Sequence, residues 1–312
     1  MAVYGVMIFF SISGYLVASS WLHDPSITRF FMKRSLRIFP ALIVLVLFTI
    51  FAVGPMNTTL SLPDYYSNPL TWNYLRNIGL YIVYYLPGVF EHSVIPNAVN
   101  GSLWSLPAEF FMYLMTPLLM LLLPWRKEVM FAIFTIFAAC AAVYIQTGYQ
   151  GPRPVAYATE VRAALSMAAY FSAGAFFAIS ERWLPLRADI AVFALFAYVL
   201  AIVLPLGDHS AYISAIVSSI AIAYIFITIG KSATRTLQSA GKYGDFSYGM
   251  YLYAFPIQQF LHVRLPNMPL VGHILLATLM TIAFAWLSWH LVEKRALQFK
   301  PKAKRKSSAM QS

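Results

Sequence analysis

Residues 38–54 read IFPALIVLVLFTIFAVG, a run of 17 residues without a charged side chain. A helix that crosses the hydrocarbon core of a bilayer needs about 17–25 mostly apolar residues, so this run is long enough to span it. Similar runs occupy residues 3–21, 103–123, 130–147, 163–180, 188–206, 210–230, 247–264 and 271–291. The sequence therefore predicts an all-α membrane protein, a polytopic helical bundle with about nine transmembrane helices.

The composition supports the same class. Of the 312 residues, 60% are apolar and only 11% are charged, whereas about a quarter of the residues in a soluble domain are charged. This balance argues against a soluble enzyme, a disordered chain and a nucleic-acid-binding module. We expect a lipid bilayer, and no nucleic acid, among the partners. The single cysteine, Cys140, lies in an apolar run where it serves packing, and we expect no metal site.

The basic residues predict the orientation of the bundle. Eighteen of the 22 Lys and Arg residues fall in the segments after alternate spans and in the C-terminal tail; the other side has only Arg76, Arg153, Arg162 and Arg264. By the positive-inside rule, the tail is cytoplasmic in a multi-pass protein of the plasma (inner) membrane. We therefore divide the chain into a transmembrane domain, residues 1–294, and a basic, disordered cytoplasmic tail, residues 295–312.

Two connections between the spans carry structural signals. Residues 24–37 are predicted to form a short basic helix that begins after Pro25 and Ser26 and lies on the membrane surface. Residues 55–102 form the longest connection, rich in proline and aromatic residues. Its stretch Ile78–Phe90 is too short to span, so we expect it to lie at the interface or to re-enter the membrane.

Three polar residues could carry chemistry. Glu109 lies six residues into the third span, about 9 Å along the helix from its outer end. It either hydrogen-bonds neighbouring helices or serves an outward-facing cavity. Arg34 and Arg37, three residues apart on one helix face, could grip a phosphate with their planar guanidinium groups. As residues of a positive-inside segment, they could instead serve only the topology.

Five segments resemble motifs of the acyltransferase-3 family of integral-membrane acyltransferases. They occur in the same order as in the family, and the resemblance extends over residues 5–295. They are GVMIFFSISGYLV (5–17), FFMKRSLRIFPAL (30–42), NGSLWSLPAEFFMYLMTPLL (100–119), GDFSYGMYLYAFPIQQF (244–260) and WHLVEK (289–294). The resemblance implies a ten-helix enzyme that moves an acyl group, commonly acetyl, from cytoplasmic acyl-CoA to a hydroxyl. The acceptors it implies are sugars of surface polysaccharide, lipopolysaccharide or exported glycosides.

The resemblance also implies roles for single residues. The donor side would use Arg34, Arg37 and Ser13, the acceptor side would use Asn100, Trp104 and Tyr113, and Glu109 would be catalytic. Ser13 and Gly14 would let spans 1 and 2 approach closely. The resemblance thus implies that acyl-CoA, most simply acetyl-CoA, is a co-substrate and that a glycan or glycolipid is the acceptor. It implies no bound cofactor.

The sequence departs from the family pattern in three places. Family members begin with a further helix that carries an Arg and then a His, the expected general base, and this sequence starts after it, so we expect impaired activity of the chain as given. Ala254 replaces the histidine of the SYxxYLxHxP block, and Arg295 replaces the proline after VEK. Two other functions stay open at this point: a transporter or flippase for glycans or lipids, and a non-catalytic membrane scaffold.

Overall fold

The computed structural model describes residues 2–122, 126–204, 207–232 and 244–301. Nine long helices, which we number α1 to α9, make up most of the described part. They are α1 Ala2–His23, α2 Ile27–Asn57, α3 Ser105–Leu122, α4 Lys127–Thr147, α5 Val161–Ser180, α6 Ala188–Val203, α7 Ser210–Ser232, α8 Ser247–Arg264 and α9 Leu270–Leu297. The only strands among these residues form a small antiparallel hairpin, Val155–Ala156 paired with Thr159–Glu160.

The helices confirm an all-α polytopic membrane protein. Each of the nine predicted spans coincides with a helix, and seven of these helices are long and apolar enough to cross a membrane. The other two are α6, with 16 residues, and α8, which carries Gln259, His262 and Arg264 in its second half. Large apolar side chains point outward, such as Phe193, which is 73% exposed. Lipid contact accounts for such exposure, since water would disfavour it.

The prediction of a separate surface helix over residues 24–37 is wrong. Helix α2 starts at Ile27, one residue after Ser26 as predicted, and continues without a break to Asn57 through a π-helical turn at Thr49–Val53. Its 31 residues extend about 46 Å, well beyond the roughly 30 Å hydrocarbon core. The basic first turns continue into the apolar run because buried residues such as Phe30 and Ile38 lie on one helix face and pack against the core.

Helices α1 and α5 pack backbone against backbone. A Cβ atom on Gly14 would lie 1.9 Å from the carbonyl oxygen of Phe171, and one on Gly174 would lie 1.9 Å from that of Ser11. We predicted that Gly14 lets spans 1 and 2 approach each other; this is wrong, because the helix that Gly14 packs against is α5. Small residues permit such close contact between helices in a membrane.

Within the connection 58–104, residues 80–90 form a mostly buried irregular chain. After the short helical segments Leu62–Ser67, Pro69–Asn73 and Tyr74–Gly79, the backbone is held by side chains. The fully buried Asn77 donates to the carbonyls of Tyr74 and Val83 and accepts from the amide of Val83. Non-helical backbone is tolerated at membrane depth where protein surrounds it. As predicted, Ile78–Phe90 forms no membrane-spanning helix.

The last part of this connection decides where α3 begins. Asn100 donates a hydrogen bond of 2.9 Å to the carbonyl of Leu252 in α8. One helical turn later, the hydroxyls of Ser105 and Tyr251 lie 2.7 Å apart. Helix α3 therefore starts beside the first turns of α8, inside the bundle. We call the end of the bundle with residues 23–37 and 181–187 the basic end, and the opposite end, with residues 58–98 and 148–160, the aromatic end.

Candidate active site

A carboxylate and a phenol form the centre of the candidate site. Glu109 and Tyr113 lie four residues apart on α3, which places them on one face of the helix. Their side chains are 5% and 3% exposed, and the Tyr113 hydroxyl donates a hydrogen bond to Oε1 of Glu109. The hydroxyl of Ser13, on α1, lies beside both groups. An acidic group buried this deeply needs such partners, because desolvation disfavours an isolated charge.

Arg34 extends this pair across to α2. Its guanidinium carbon lies 5.5 Å from the ring centre of Tyr113 and 5.6 Å from that of Phe30, both within the range of cation–π attraction. Its Nε atom is buried and has no hydrogen-bond partner among the described residues. A buried, unused donor on a cation is costly in a folded protein, so this atom is available to an anionic ligand.

Arg37, predicted to act with Arg34, has different partners. Its guanidinium group pairs with Asp245 at 2.6 Å and with the buried Glu293 of α9 at 3.4 Å. It also lies over the ring of Tyr248, whose hydroxyl donates to the carbonyl of Ile38. Arg37 therefore ties the start of α8 and the end of α9 to α2, while its exposed partner Asp245 leaves that side open to solvent.

The structure contradicts the expected distance between Glu109 and the arginine pair. The sequence placed Glu109 near the outer end of the third span and the arginines at the opposite face. The structure brings Glu109, Tyr113, Ser13 and Arg34 into one cluster. The physical reason is the irregular segment before α3, which carries the chain into the bundle before the helix starts. Tyr113, predicted for the acceptor side, adjoins Arg34 of the predicted donor side.

The other two predicted acceptor residues are separate from this cluster. Asn100 is fully buried; its amide donates to Leu252 and its carbonyl oxygen caps the helical turn Gly101–Trp104 by accepting from the amide of Ser102. Trp104 is half-buried and packs against the core. Within the described residues, Asn100 fixes the local fold, and Trp104 stands about one turn before Glu109.

Sequence reasoning missed the ion pairs that surround the basic end. Asp24 accepts hydrogen bonds from Arg29 and Lys33, and these cations hold the pKa of its carboxyl well below the usual range. Lys231 and the hydroxyl of Tyr15 likewise lower the pKa of Glu181. These partners lie on different elements, so a pattern read within one helix could not reveal them.

Lys300 is a further cation at this end. Desolvation, followed by repulsion from the nearby guanidinium groups of Arg37 and Arg34, lowers the pKa of its amino group. Arg34, Arg37 and Lys300 thus lie near one another at the basic end. Within the parts of the chain that the structure describes, no three His, Cys, Asp or Glu side chains lie close enough together to hold a metal ion.

Comparison with known proteins gives a consistent result. The model of the acyltransferase-3 family, described as an acyltransferase domain, matches residues 1–290. An O-acetyl transferase of Shigella phage Sf6 is 30% identical over 295 residues, which are 94% of this chain and 84% of that protein. Nodulation protein 10 of Rhizobium leguminosarum bv. viciae is 38% identical over 128 residues, 39% of this chain and 34% of that protein. No solved structure matches the chain.

Proposed function

Since this chain belongs to the acyltransferase-3 family and is a membrane-bound acyltransferase, we propose that it transfers an acetyl group from acetyl-CoA to a hydroxyl of a glycan. The observation that carries the proposal is the cluster in which Arg34, with a free buried Nε, lies on Tyr113, which in turn is bonded to Glu109. The cluster therefore brings together a cation that can bind an anionic acyl donor and a carboxylate that can accept a proton.

The donor side is proposed at the basic end. Coenzyme A carries several phosphates, and guanidinium groups bind phosphate through paired, charge-assisted hydrogen bonds. Arg34 offers its unpartnered Nε, and Arg37 can exchange its exposed partner Asp245 for a phosphate. Lys300 adds positive charge to the same region. Because acyl-CoA is a cytoplasmic metabolite and the positive-inside rule favours the same side, we place the basic end and the C-terminus in the cytoplasm.

The chemistry requires one proton to move. The hydroxyl oxygen of the acceptor attacks the thioester carbon, a C–O bond forms, and the C–S bond breaks. The hydroxyl proton passes to the carboxylate of Glu109 and then to the leaving thiolate. Once Glu109 has taken this proton, the hydroxyl of Tyr113 can donate instead to the negative charge that develops on the carbonyl oxygen. A positioned base of this kind contributes about 10²–10⁴-fold to the rate.

Reconstitution in liposomes tests the proposal. The purified chain would receive radiolabelled acetyl-CoA on the basic side, with the native surface glycan on the other, and the label would be followed into the glycan. We expect the label to appear in the glycan, and we expect the Glu109→Gln variant to transfer less of it. Movement of glycan across the bilayer without any labelling would instead indicate a transporter. Single cysteines that replace Arg182 and Val155 would report the basic end and the aromatic end separately when labelled with an impermeant maleimide. Labelling of Val155→Cys from the cytoplasm would show that the orientation is opposite to the proposed one.

A further inference from the structure

An open cavity lies at the aromatic end, away from the cluster around Glu109. It has a volume of about 490 Å³ and is lined by Tyr84, Tyr85, Asn97, Gly101 and Phe255, with small or apolar residues between them. Small-molecule sites typically enclose about 300–1,000 Å³, so the size suits one or two rings of a ligand. We call it the aromatic-end cavity.

The walls of this cavity combine aromatic faces with unused hydrogen-bonding groups. The side chains of Tyr84, Tyr85 and Asn97 form no hydrogen bond with another described residue, although each can donate and accept. Phe255 adds an apolar ring. No Lys, Arg, Asp or Glu is among the described residues that line it. A neutral molecule with both hydroxyl groups and C–H faces satisfies such walls, whereas a nucleotide or an anionic lipid headgroup would find no counter-charge.

The cavity is held in shape by a buried amide. Gln259 is 4% exposed, and the two N–H groups of its Nε2 are shared among Ser93 Oγ, the carbonyl of Ile95 and the carbonyl of Ala98, all at 2.7–2.9 Å. The amide of Val99 donates to the carbonyl of Tyr84 at 2.7 Å. These bonds fix the loop before any ligand arrives, which reduces the entropy lost on binding.

The floor of the cavity leads toward the proposed reaction site. Gly101 forms part of the floor, and a Cβ there would lie 2.6 Å from the ring of Phe255. Directly beyond it, the hydroxyl of Tyr251 bonds to both the carbonyl of Ser102 and the hydroxyl of Ser105. Ser105 stands four residues before Glu109 on α3, about 6 Å along the axis. Gly101 stands eight residues before Glu109, so a glycan bound above Gly101 would lie about two helical turns from the proposed catalytic carboxylate.

We infer that the aromatic-end cavity binds a neutral sugar residue of the acceptor glycan. The inference rests on the proposed function and adds to it the residues that recognise the acceptor: Tyr84, Tyr85, Asn97 and Phe255. These residues are distinct from Asn100, Trp104 and Tyr113, which the sequence singled out.

Cysteine protection tests this without requiring acyl transfer. Cys140, the single cysteine, is replaced by alanine, and a reporter cysteine is placed at Ile95, a lining residue that is 50% exposed. The control reporter is Val155→Cys, on the hairpin at the same end and 65% exposed. The rate of labelling by an impermeant maleimide is measured with and without added oligosaccharide. This oligosaccharide is released by mild acid from the surface glycan of the cells that carry the protein. Parallel samples contain the lipid-linked glycan or phosphatidylglycerol vesicles.

We expect both forms of the glycan to slow labelling at position 95 at least about fivefold, because a sugar bound against Tyr85 and Asn97 would cover this neighbouring lining residue, and to leave position 155 unchanged. Adding Tyr85→Ala or Asn97→Gly should restore the rate. Glycine suits position 97, where φ is 62°. Equal labelling at position 95 with and without glycan, or slowing by phosphatidylglycerol alone, would overturn the inference. A failure of the proposed acyl transfer would leave this binding result unchanged, so the two outcomes are distinguishable.

Discussion

The hydroxyl of Tyr113 donates a hydrogen bond to the carboxylate of Glu109 one turn earlier on α3, and the guanidinium of Arg34 lies over the same tyrosine ring. Tyr113 thus connects a buried acid with a buried cation that comes from another helix. Removing Tyr113 would leave the carboxylate without this hydroxyl donor and the cation without this ring in a low-dielectric interior, where unpaired polar groups are most costly.

Glu109→Gln should separate a catalytic role from a structural one. Glutamine keeps the size and can still accept from Tyr113, but it cannot take a proton. We expect normal expression and transfer reduced at least about tenfold, equivalent to about 1.4 kcal/mol in the barrier. Tyr113→Phe is the companion variant, because it removes only the hydroxyl. Full transfer by Glu109→Gln combined with lost expression of Glu109→Ala would assign a structural role.

Arg34→Ala should raise the KM for acetyl-CoA about tenfold or more while leaving the KM for the glycan within about twofold, since a lost charge-assisted contact is worth about 1.5–3 kcal/mol. Arg34→Lys should recover only part of this, because a point charge replaces a planar fork. Initial rates at varied concentrations of each substrate provide the check. Arg182→Ala, an exposed arginine at the same end without an ion pair among the described residues, is the control. An unchanged KM for acetyl-CoA in Arg34→Ala would remove this residue from the donor site.

Gly14→Ala should destabilise the bundle. The added methyl group would collide with the carbonyl oxygen of Phe171, and overpacking of this kind costs about 1–3 kcal/mol. We expect a lower midpoint of thermal unfolding in detergent. Gly5→Ala on the same helix is the matched control, because its new Cβ would meet nothing within 4 Å. Equal midpoints for the two variants would contradict the close packing of α1 against α5.

The Asp24 carboxylate should make stability depend on acid pH. Its pKa in the folded protein lies below that of an unfolded aspartate, about 3.9. Its contribution is therefore fully present above about pH 4–5 and is lost as the pH falls through the unfolded and then the folded pKa. Unfolding by denaturant between pH 6 and pH 3 should show this loss in the wild type and a smaller one in Asp24→Asn. Asp208→Asn, which removes a carboxylate with no ion pair among the described residues, should behave as the wild type. An identical pH dependence in Asp24→Asn would exclude the carboxylate as its source.

The sequence by itself determined the class of the protein, the positions of the nine long helices and the family. These are local properties: an apolar run of sufficient length forms a helix in lipid wherever it stands, because its backbone must be hydrogen-bonded within the segment. The motifs around Arg34, Glu109 and Tyr113 were likewise visible in the residues alone.

Only the tertiary structure decided how deep α3 begins and therefore which residues meet Glu109. That depth depends on the hydrogen bond between Asn100 and Leu252, 152 residues apart in the chain, and on Gln259, which holds the segment before it. A hydropathy pattern records how long a segment is but not where its ends lie relative to other helices. Irregular buried backbone has no period to read, because its hydrogen bonds are made by side chains distant in sequence.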